Sequence, residues 1–482
     1  MRPLIAFSLT LLFLLSIPFI VIADLSASEL ALNPDGTAYE VHPDSQGRLW
    51  ISEYLAGEVW RVDSTNTVNV YPVGGAPSDA TPDTSNAVWW VDGATIRRLD
   101  LSSNTVETWT VPIENTFLYG VTVDSNGDIW LTDPNFGTIN RFQRNSRQFC
   151  AYSLPDNGMS LYPTVSGQNP WLADSYNMRI LRLDPNLSAP NFTVWQLPAE
   201  ISAGDAILLD ASNNAWFTDP NHSALARLEP AANPNQVTRY SFPTGINTQP
   251  KMLANTGGRI WFSGQSPAAV GALDPTTATA SFSQAITPTT STAALACQNL
   301  AVPTTSQAAP RQVTPSWTDG TYTTLAASAG WAIYQLPASA NPLGIAAITS
   351  IHVVDSARQK LLKFVPPSPL QISITACVRQ DRDSNLSTTG DQAPLPGWEL
   401  TLLGNGSEIS KKTSSAAGCA AWNQLEAGPT YSVHLTPQSG WQEISGSANP
   451  FSFGTSSPGA TYQHTFYQWR NLRYIYIPMV LK

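Results

Sequence analysis

The segment IWLTDPNFGTINRF, residues 129–142, decides the fold of this chain. Its first five residues have the composition of a strand, the following Pro-Asn-Phe-Gly is a turn signal, and the last five residues supply a second strand. The phrase recurs about every 40 to 45 residues around an aromatic anchor, which is the period of a four-stranded propeller blade. The tryptophan anchors are Trp50, Trp89, Trp130, Trp171, Trp216 and Trp261. We therefore predict an all-β chain with a seven-bladed β-propeller over residues 24–366.

Blades six and seven depart from the repeat. An insert rich in Thr, Ser, Ala and Pro, over about residues 276–329, delays the outer strand of blade six to residues 332–337. Its polar, low-complexity composition predicts a long, partly ordered surface loop. Blade seven, residues 343–365, has His352 at the anchor position and only three strands. Its missing outer strand matches residues 29–34, so we expect the N-terminus to close the ring and remove its free edges.

The N-terminus has the pattern of a signal peptide. Arg2 precedes an apolar run over residues 4–22, and small residues suited to cleavage follow, so residues 1–23 are expected to be removed. An uncleaved signal anchor is the alternative, because the run is long enough to span a bilayer. We predict a secreted or cell-surface protein with no membrane span after signal removal. The net charge of -10 and the lack of a basic patch argue against a nucleic-acid partner.

The chain has four cysteines and no Cys-x-x-Cys pair, which argues against a zinc site. Cys377 and Cys419 lie in the same C-terminal region, and an oxidising compartment favours a disulfide between them. The sequence leaves open whether Cys150 and Cys297 are free or paired.

Residues 371–470 differ in style from the repeats. Alternating strands separated by turn residues predict a small antiparallel β-sandwich, and residues 471–482 form a hydrophobic tail. Oxygen-bearing side chains at alternate positions of one loop suggest a calcium site, with a further carboxylate near the closing position: Asp381, Asp383, Asn385 and Asp391. Leu386 stands where such a loop expects glycine, so an acidic hairpin loop is the alternative.

An acidic residue follows six of the anchors by three positions, and a basic residue lies on the next strand. The acids are Glu53, Asp92, Asp133, Asp174, Asp219 and Asp355; the bases are Arg61, Arg98, Arg141, Arg182, Arg227 and Lys363. Blade six lacks both members and has Gly264 and Ala272 instead. This joint loss predicts structural ion pairs, within a blade or between neighbouring blades. A ring of carboxylates that binds a metal or a cationic ligand is the functional alternative.

The repeated Trp-Leu/Phe-Thr-Asp, Arg-Leu-Asp and Leu-Pro phrases resemble the blades of virginiamycin B lyases. The resemblance implies an enzyme that opens a cyclic depsipeptide by β-elimination, with Mg²⁺ and histidines from Pro-His-Gly segments of the inner strands. Here blade seven reads Pro342-Leu343-Gly344-Ile345, with Leu343 in the histidine position. The corresponding positions in other blades are Thr37, Tyr119, Tyr162, Asp205 and Pro250. Since no histidine occupies them, we expect lyase activity to be absent.

The C-terminal region resembles the prealbumin-like B-type repeat of bacterial surface adhesins. The matching residues are Leu395-Pro396-Gly397-Trp398, residues 413–418 and 425–433, and Gly440-Trp441. This resemblance implies a stalk or spacer that sometimes binds Ca²⁺, in which Cys377 and Cys419 would join two strands.

These patterns predict a secreted or cell-surface protein that binds an unknown extracellular ligand or cell-envelope component. Tyr119, Tyr162 and Asp205 are the expected contact residues because they break the repeat symmetry at positions that carry function in the resembling family. Apart from Ca²⁺ in the C-terminal region, no cofactor is expected, and Mg²⁺ would be needed only by a lyase. The alternatives are a diverged metal-dependent C–O lyase, a lactone hydrolase, or a purely structural component of the cell envelope.

Overall fold

The computed structural model describes residues 25–328, 330–348, 350–364, 372–382, 392–425, 430–444, 449–455 and 461–469. Within these ranges almost all regular structure is β-strand, and the only helical elements are two 3-10 turns, Pro155–Asn157 and Pro220–His222. The all-β prediction is confirmed. No helix of the described part is long and apolar enough to cross a membrane. The predicted signal peptide, residues 1–23, and the tail, residues 471–482, lie outside the described residues.

Seven five-stranded antiparallel sheets occupy residues 25–364 of the described chain, and in each of them the strands run in order from an inner to an outer edge. Sheet 1 contains Ala38–Pro43, Leu49–Glu53, Glu58–Val62, Val68–Pro72 and Arg311–Val313. Sheet 2 contains Thr81–Pro82, Ala87–Asp92, Thr95–Asp100, Thr105–Thr110 and Thr304–Gln307. Sheet 3 contains Val121–Val123, Ile129–Asp133, Thr138–Gln143, Gln148–Ser153 and Leu295–Asn299. Sheet 4 contains Thr164–Ser166, Asn169–Asp174, Arg179–Asp184, Asn191–Gln196 and Thr289–Thr292.

The remaining three sheets of this region follow the same plan. Sheet 5 contains Ile207–Leu209, Ala215–Asp219, Ala224–Glu229, Gln236–Ser241 and Phe282–Ala285. Sheet 6 contains Gln249–Thr256, Arg259–Gln265, Ala269–Leu273, Trp331–Gln335 and Thr324–Ser328. Sheet 7 contains Pro342–Ala347, Ile351–Asp355, Lys360–Phe364, Leu25–Ala31 and Trp317–Tyr322. Each inner strand contacts the inner strand of the next sheet, and that of sheet 7 contacts that of sheet 1, so the inner strands form a closed ring of contacts.

The N-terminal strand closes this ring, as the sequence predicts. Leu25–Ala31 pairs antiparallel with Lys360–Phe364, and Ala27 lies opposite Phe364. The first described strand is thereby built into the last sheet. Its pairing satisfies main-chain groups that would otherwise form an open edge.

The insert forms a strap that runs around the outside of all seven sheets. We use the name strap for residues 276–328; its strands join sheets 5, 4, 3, 2, 1, 7 and 6 in that order, opposite to the order of the repeats. The prediction of a partly ordered surface loop is wrong. The strap pairs through main-chain hydrogen bonds and buries few side chains. Its sequence therefore lacks the apolar alternation by which strands are normally predicted.

A disulfide fixes the strap to sheet 3. Cys150 on the fourth strand lies directly opposite Cys297 on the strap, with a Cα–Cα distance of 4.1 Å. The pairing that the sequence left open therefore joins residues 147 positions apart.

The anchor tryptophans fill the space between neighbouring sheets. Trp171 of sheet 4 packs in one buried cluster with Trp195 and with Phe217 of sheet 5. In sheet 3 the indole Nε1 of Trp130 donates to Asp124 at 3.0 Å, and the anchors of sheets 1, 2 and 5 make the same bond six residues back. This Asp-to-Trp spacing is a structural repeat that holds the inner hairpin of a sheet.

The predicted ion pairs between the repeated acids and bases do not form among the described residues. The arginines lie over the anchor rings instead: the guanidinium carbon of Arg141 is 5.7 Å from the ring centre of Trp130, and sheets 1, 2, 4 and 5 repeat this contact. Four of the acids accept a main-chain N–H from the loop that enters their own sheet; Asp174, for example, accepts from Met159 at 3.0 Å. The repeated acids and the repeated arginines are therefore both structural, but the acids bond to the main chain and the arginines lie over the anchor rings, so they do not pair with each other.

The C-terminal residues form two further sheets. One contains Ala393–Pro394, Ile372–Gln380, Thr461–Trp469 and Gln442–Glu443, with Cys419–Leu425 also paired to Ile372–Gln380; the other contains Ser407–Thr413, Glu399–Gly404, Thr430–Leu435 and Phe451–Thr455. Side chains of both sheets share one buried cluster, including Ile374, Leu400 and Val433. Cys377 lies opposite Cys419, and a disulfide joins them.

The prediction of a wholly antiparallel C-terminal domain needs a correction. Ile372–Gln380 and Thr461–Trp469 pair in parallel, with Ser373 opposite Thr461. A parallel pair needs a long crossover, and the chain between these strands supplies it by forming the second sheet. Alternation of apolar residues predicts strands but not their relative direction.

Candidate functional site

The candidate site lies where the inner strands begin. Strand direction alternates in each sheet, so the loop that enters the inner strand and the hairpin between the second and third strands lie at the same end. We call this end the mouth. Its inner lining includes Tyr39, Tyr119, Tyr162, Asp205 and Lys251, which start the inner strands of sheets 1, 3, 4, 5 and 6 or immediately precede them.

Two tyrosines of the prediction meet at the mouth. The hydroxyls of Tyr119 and Tyr162 are 3.3 Å apart, and their rings are in edge-to-face contact with centroids at 5.4 Å. Both side chains are half-buried. Burial raises the pKa of both phenols, so each is a neutral hydroxyl that can donate to or accept from a ligand.

A buried carboxyl, Glu40, lies beside Tyr162. Its residue is only 2% exposed, and the Tyr162 hydroxyl bonds to it. Gly344 of sheet 7 makes room for it, because a Cβ at that position would lie 3.0 Å from the Glu40 Oε2 atom. Burial, with the nearby negative charge of Asp79, raises the pKa of Glu40 to about 8. The group is therefore mainly a neutral acid at pH 7.

His42 and Asp79 form the second titratable pair of the inner strands. The His42 Nε2 atom lies 2.6 Å from the Asp79 Oδ1 atom, while the Asp79 Oδ2 atom accepts the Val121 N–H at 2.9 Å. Burial lowers the pKa of His42, but the charges of Asp79 and Glu40 outweigh that effect and raise it above its ordinary value. The contact with Asp79 therefore favours the charged form of the imidazole.

The third predicted residue, Asp205, is neutralised by a lysine of the next sheet. The Lys251 Nζ atom lies 3.2 Å from the Asp205 Oδ2 atom. Asp205 shares the mouth with the two tyrosines, since Lys251 also acts electrostatically on Glu40 beside Tyr162. The three predicted contact residues thus belong to one polar lining.

Strand register corrects two of the positions that the sequence aligned with the histidines. In each of five sheets, we take the residue that follows the anchor and find its pairing partner on the inner strand. We then count two residues back from that partner. This gives Tyr39, Tyr119, Asp205, Lys251 and Leu343. Thr37 and Pro250 are therefore wrong, since they lie two residues and one residue before the positions that strand pairing gives. In sheet 4 the same count gives Leu161, the neighbour of Tyr162.

An apolar rim surrounds part of the mouth. Exposed side chains from the hairpins of sheets 1, 3 and 4 and from the loop entering sheet 3 form it: Leu55, Phe136, Tyr176 and Phe117. The ring of Phe117 lies 6.2 Å from that of Tyr119, so the rim is continuous with the inner lining. A ligand that enters the mouth meets apolar surface first and hydroxyl and carboxyl groups below it.

The lining does not fit the Mg²⁺ that the resemblance implies. No group of three or more Asp, Glu, His or Cys side chains in the described part is arranged to hold a metal ion. The tyrosine hydroxyls are neutral, and Asp79 and Asp205 are already paired with His42 and Lys251, which leaves Glu40 as a single carboxyl, whereas Mg²⁺ prefers several ionised oxygen ligands and water. In the C-terminal region, Asp381 is buried in the described part, while Asp383, Asn385 and Asp391 of the predicted calcium site lie outside the described residues.

The fold and the lining define a β-propeller protein with a polar site where its inner strands begin. The chain belongs to the virginiamycin B lyase family, which residues 26–302 match. No curated protein matches the chain by sequence.

Solved structures of the same fold include virginiamycin B lyase from Staphylococcus aureus. The match has a TM-score of 0.53 at 18% identity and covers 70% of this chain and 99% of that one. A catalytically inactive variant of that enzyme, solved with quinupristin, matches with the same values. A streptogramin B lyase structure matches with a TM-score of 0.52 at 17% identity, covering 70% of this chain and 97% of that one. Identities this low show a common fold.

Sequence reasoning found the tyrosine pair and missed the acids around it. Tyr119, Tyr162 and Asp205 are brought to one mouth. Glu40, His42 and Asp79 have no motif of their own, and only the ring of inner strands brings them together. The sequence offers one indication of these three residues. Each lies on or just before a short inner strand, where the other repeats have mostly apolar or small residues.

Proposed function

We propose that each of the seven sheets is one blade of a seven-bladed propeller and that its mouth binds a cyclic peptide or depsipeptide without cleaving it. The observation that carries this proposal is the pair of tyrosine hydroxyls, 3.3 Å apart, above the buried carboxyl of Glu40. Family membership supports the ligand class, since an inactive relative of this fold was solved with quinupristin.

The absence of cleavage follows from the groups at the mouth. β-Elimination needs a base that removes a proton and an acid or metal that supports the developing anion. None of the six aligned positions is a histidine, and the one carboxylate among them, Asp205, is paired with Lys251 of the next sheet; the six are Tyr39, Tyr119, Leu161, Asp205, Lys251 and Leu343. The tyrosine hydroxyls are weak bases because burial keeps them protonated.

Titration of the purified chain with quinupristin tests the proposal. We expect a saturable heat of binding and an unchanged ligand by chromatography after prolonged incubation. Retention time and fragmentation must be the readout, because elimination opens the ring without changing the mass. The double variant Tyr119→Phe/Tyr162→Phe should bind about 5- to 150-fold more weakly, since each hydroxyl contributes about 0.5–1.5 kcal/mol.

Tyr176→Phe is the matched control, because Tyr176 is exposed in a hairpin at the same end of the sheets. It should bind like the natural chain. Absence of binding up to the solubility of quinupristin, or equal affinity of the double variant and the control, contradicts the proposal.

A second candidate function is a diverged lyase, favoured by the His42–Asp79 pair at 2.6 Å. A histidine oriented by a carboxylate is the arrangement of a general base. A ring-opened product that appears with the natural chain and disappears with His42→Gln, but not with Tyr176→Phe, would establish this function.

The same proposal extends to location and to the C-terminal region. The signal-peptide pattern of residues 1–23 supports a secreted or cell-surface protein, and two disulfides agree with an oxidising compartment. We propose that the C-terminal sheets form a sandwich of the prealbumin-like kind that spaces or anchors the propeller. An extracellular ligand or a cell-envelope component is then the natural partner.

A further inference from the structure

The lining of the mouth contains one carboxyl without a cationic partner. Asp79 has His42 at 2.6 Å, and Asp205 has Lys251 at 3.2 Å. Glu40 forms no ion pair with any residue of the described part, although it is 2% exposed and bonds only to a neutral hydroxyl in its surroundings. Buried carboxyls are normally paired or coordinated; His42 and Lys251 act on this one only at a distance, because they are paired with Asp79 and Asp205, so a ligand cation would be its first direct ionic partner.

Aromatic rings stand around that carboxyl. Tyr119 and Tyr162 are in edge-to-face contact, and Tyr39 lies close enough to interact electrostatically with the Tyr119 hydroxyl. Tyr39 is further supported by Tyr54, with ring centroids 5.7 Å apart. The rings are half-buried and reach the surface at the mouth. Aromatic faces with a carboxylate nearby attract organic cations, whose charge is spread over apolar groups.

We propose that the mouth takes an organic cation, an ammonium or guanidinium group with apolar substituents, between Tyr39, Tyr119 and Tyr162, with Glu40 as its counter-ion. This inference rests on the proposed function and states the chemistry of the ligand group that enters deepest. The apolar rim formed by Leu55, Phe117, Phe136 and Tyr176 suits the remainder of such a ligand.

The charged and titratable groups that face Glu40 set the pH dependence of binding. They come from its own strand and from the inner strands of sheets 2, 4 and 6: His42, Asp79, Tyr162 and Lys251. On the side of sheet 7, Gly344 packs against Glu40. Because burial raises the pKa of Glu40 to about 8, the carboxyl releases its proton when a cation arrives. Affinity for a cation should therefore rise between pH 6 and pH 8.

Choline and 3,3-dimethylbutan-1-ol, which share a shape and differ in charge, test the proposal on the full chain by calorimetry. Choline should bind at least tenfold more tightly at pH 8. Its observed heat should depend on the ionisation heat of the buffer, which reveals proton release. Glu40→Gln should abolish both the charge preference and the proton release, whereas Glu114→Gln, an exposed residue of the loop entering sheet 3, should keep both.

Equal affinity for the two probes, absence of proton release by the natural chain, or an unchanged preference in Glu40→Gln overturns the inference. The proton release is measured without any variant, so the test does not depend on the variant folding. Quinupristin separates the two proposals. Quinupristin binding without choline preference overturns only the cation site, and choline binding without quinupristin binding overturns only the cyclic-peptide ligand; absence of both overturns both.

Discussion

Glu53 is a buried acid that breaks the pattern of its repeat. The equivalent aspartates in sheets 3, 4, 5 and 7 accept a well-formed hydrogen bond from a main-chain N–H of the entering loop, whereas the Glu53 carboxyl has only a weak interaction with the main chain of Asn33 in that loop. Glu58 lies directly opposite on the neighbouring strand. Burial, together with the charge of Glu58, raises the pKa of Glu53 to about 8. The side chain thus holds a proton in the folded state that it loses in the unfolded state.

This difference predicts a pH-dependent stability. Between the unfolded pKa, 4.5, and the folded pKa, about 8, the folded chain binds one more proton than the unfolded chain, so the free energy of unfolding falls as pH rises. Glu53→Gln removes this loss. We expect it to exceed the natural chain in stability by about 1–3 kcal/mol at pH 9 and to differ little at pH 4.5.

Denaturant unfolding at the two pH values measures this effect. The stability of Glu53→Gln should still decline partly as pH rises, because the pKa of Glu40 is also raised in the folded state. Glu114→Gln, at an exposed position, should follow the natural chain. Stability curves for Glu53→Gln and the natural chain that stay parallel between pH 4.5 and pH 9 would refute the assignment.

The strap is the element that distinguishes this chain from a plain array of four-stranded repeats. Its strands cover the outer edge of every sheet of the region, so unpaired main-chain groups on those edges gain partners. Most of its side chains remain exposed, and the stabilisation comes from main-chain bonds and from the Cys150–Cys297 link. The strap gives each sheet a fifth strand and ties neighbouring sheets together through one continuous segment.

Removal of the link should loosen the strap without unfolding the inner strands. We expect Cys150→Ser/Cys297→Ser to lose about 2–4 kcal/mol of stability and to be cleaved by proteases within residues 276–328. Cys377→Ser/Cys419→Ser is the matched control, since that disulfide lies within the C-terminal sheets. Limited proteolysis with mass analysis reports the site. Equal resistance of the strap in both double variants would show that the link does not hold it.

At the scale of the whole molecule, one acidic residue links the segments that meet where the ring closes. Glu29 on the N-terminal strand bonds to Lys360 and Arg358 of sheet 7 and to the Tyr322 hydroxyl on the strap. Three segments that are far apart in sequence therefore meet at a side chain that is only 8% exposed. Loss of one partner of such a buried network leaves the other charges uncompensated.

Glu29→Gln should therefore lower the stability of the whole ring by about 2–4 kcal/mol. Thermal unfolding gives the measurement, and the transition should keep its shape, because the residue couples the first and last strands. Glu408→Gln, whose partner Lys411 is 3.6 Å away and half-exposed, should change the midpoint little. A midpoint for Glu29→Gln within one degree of that control, on the order of measurement error, contradicts the closure role.

The sequence by itself determined the repeat, its period and its closure. The tryptophan anchors of six repeats and the N-terminal segment that matches the missing edge of the seventh are local patterns, and they follow from the burial of one apolar face per strand. The sequence also predicted Tyr119, Tyr162 and Asp205 as contact residues, because departures from a repeat are visible without coordinates, and that role stays a prediction. It placed Thr37 and Pro250 wrongly, since register is set by strand pairing and the sequence does not show which residues pair.

Only the tertiary structure decided the course of the strap, the Cys150–Cys297 pairing, the partners of the repeated acids and arginines, and the group around Glu40. The strap strands pair through main-chain groups, which every residue has, so the amino-acid composition does not predict them. Glu40, Asp79 and Lys251 come from three sheets, and nothing local relates them. Their meeting is set by the closed ring of inner strands, which converts separate repeats into one site.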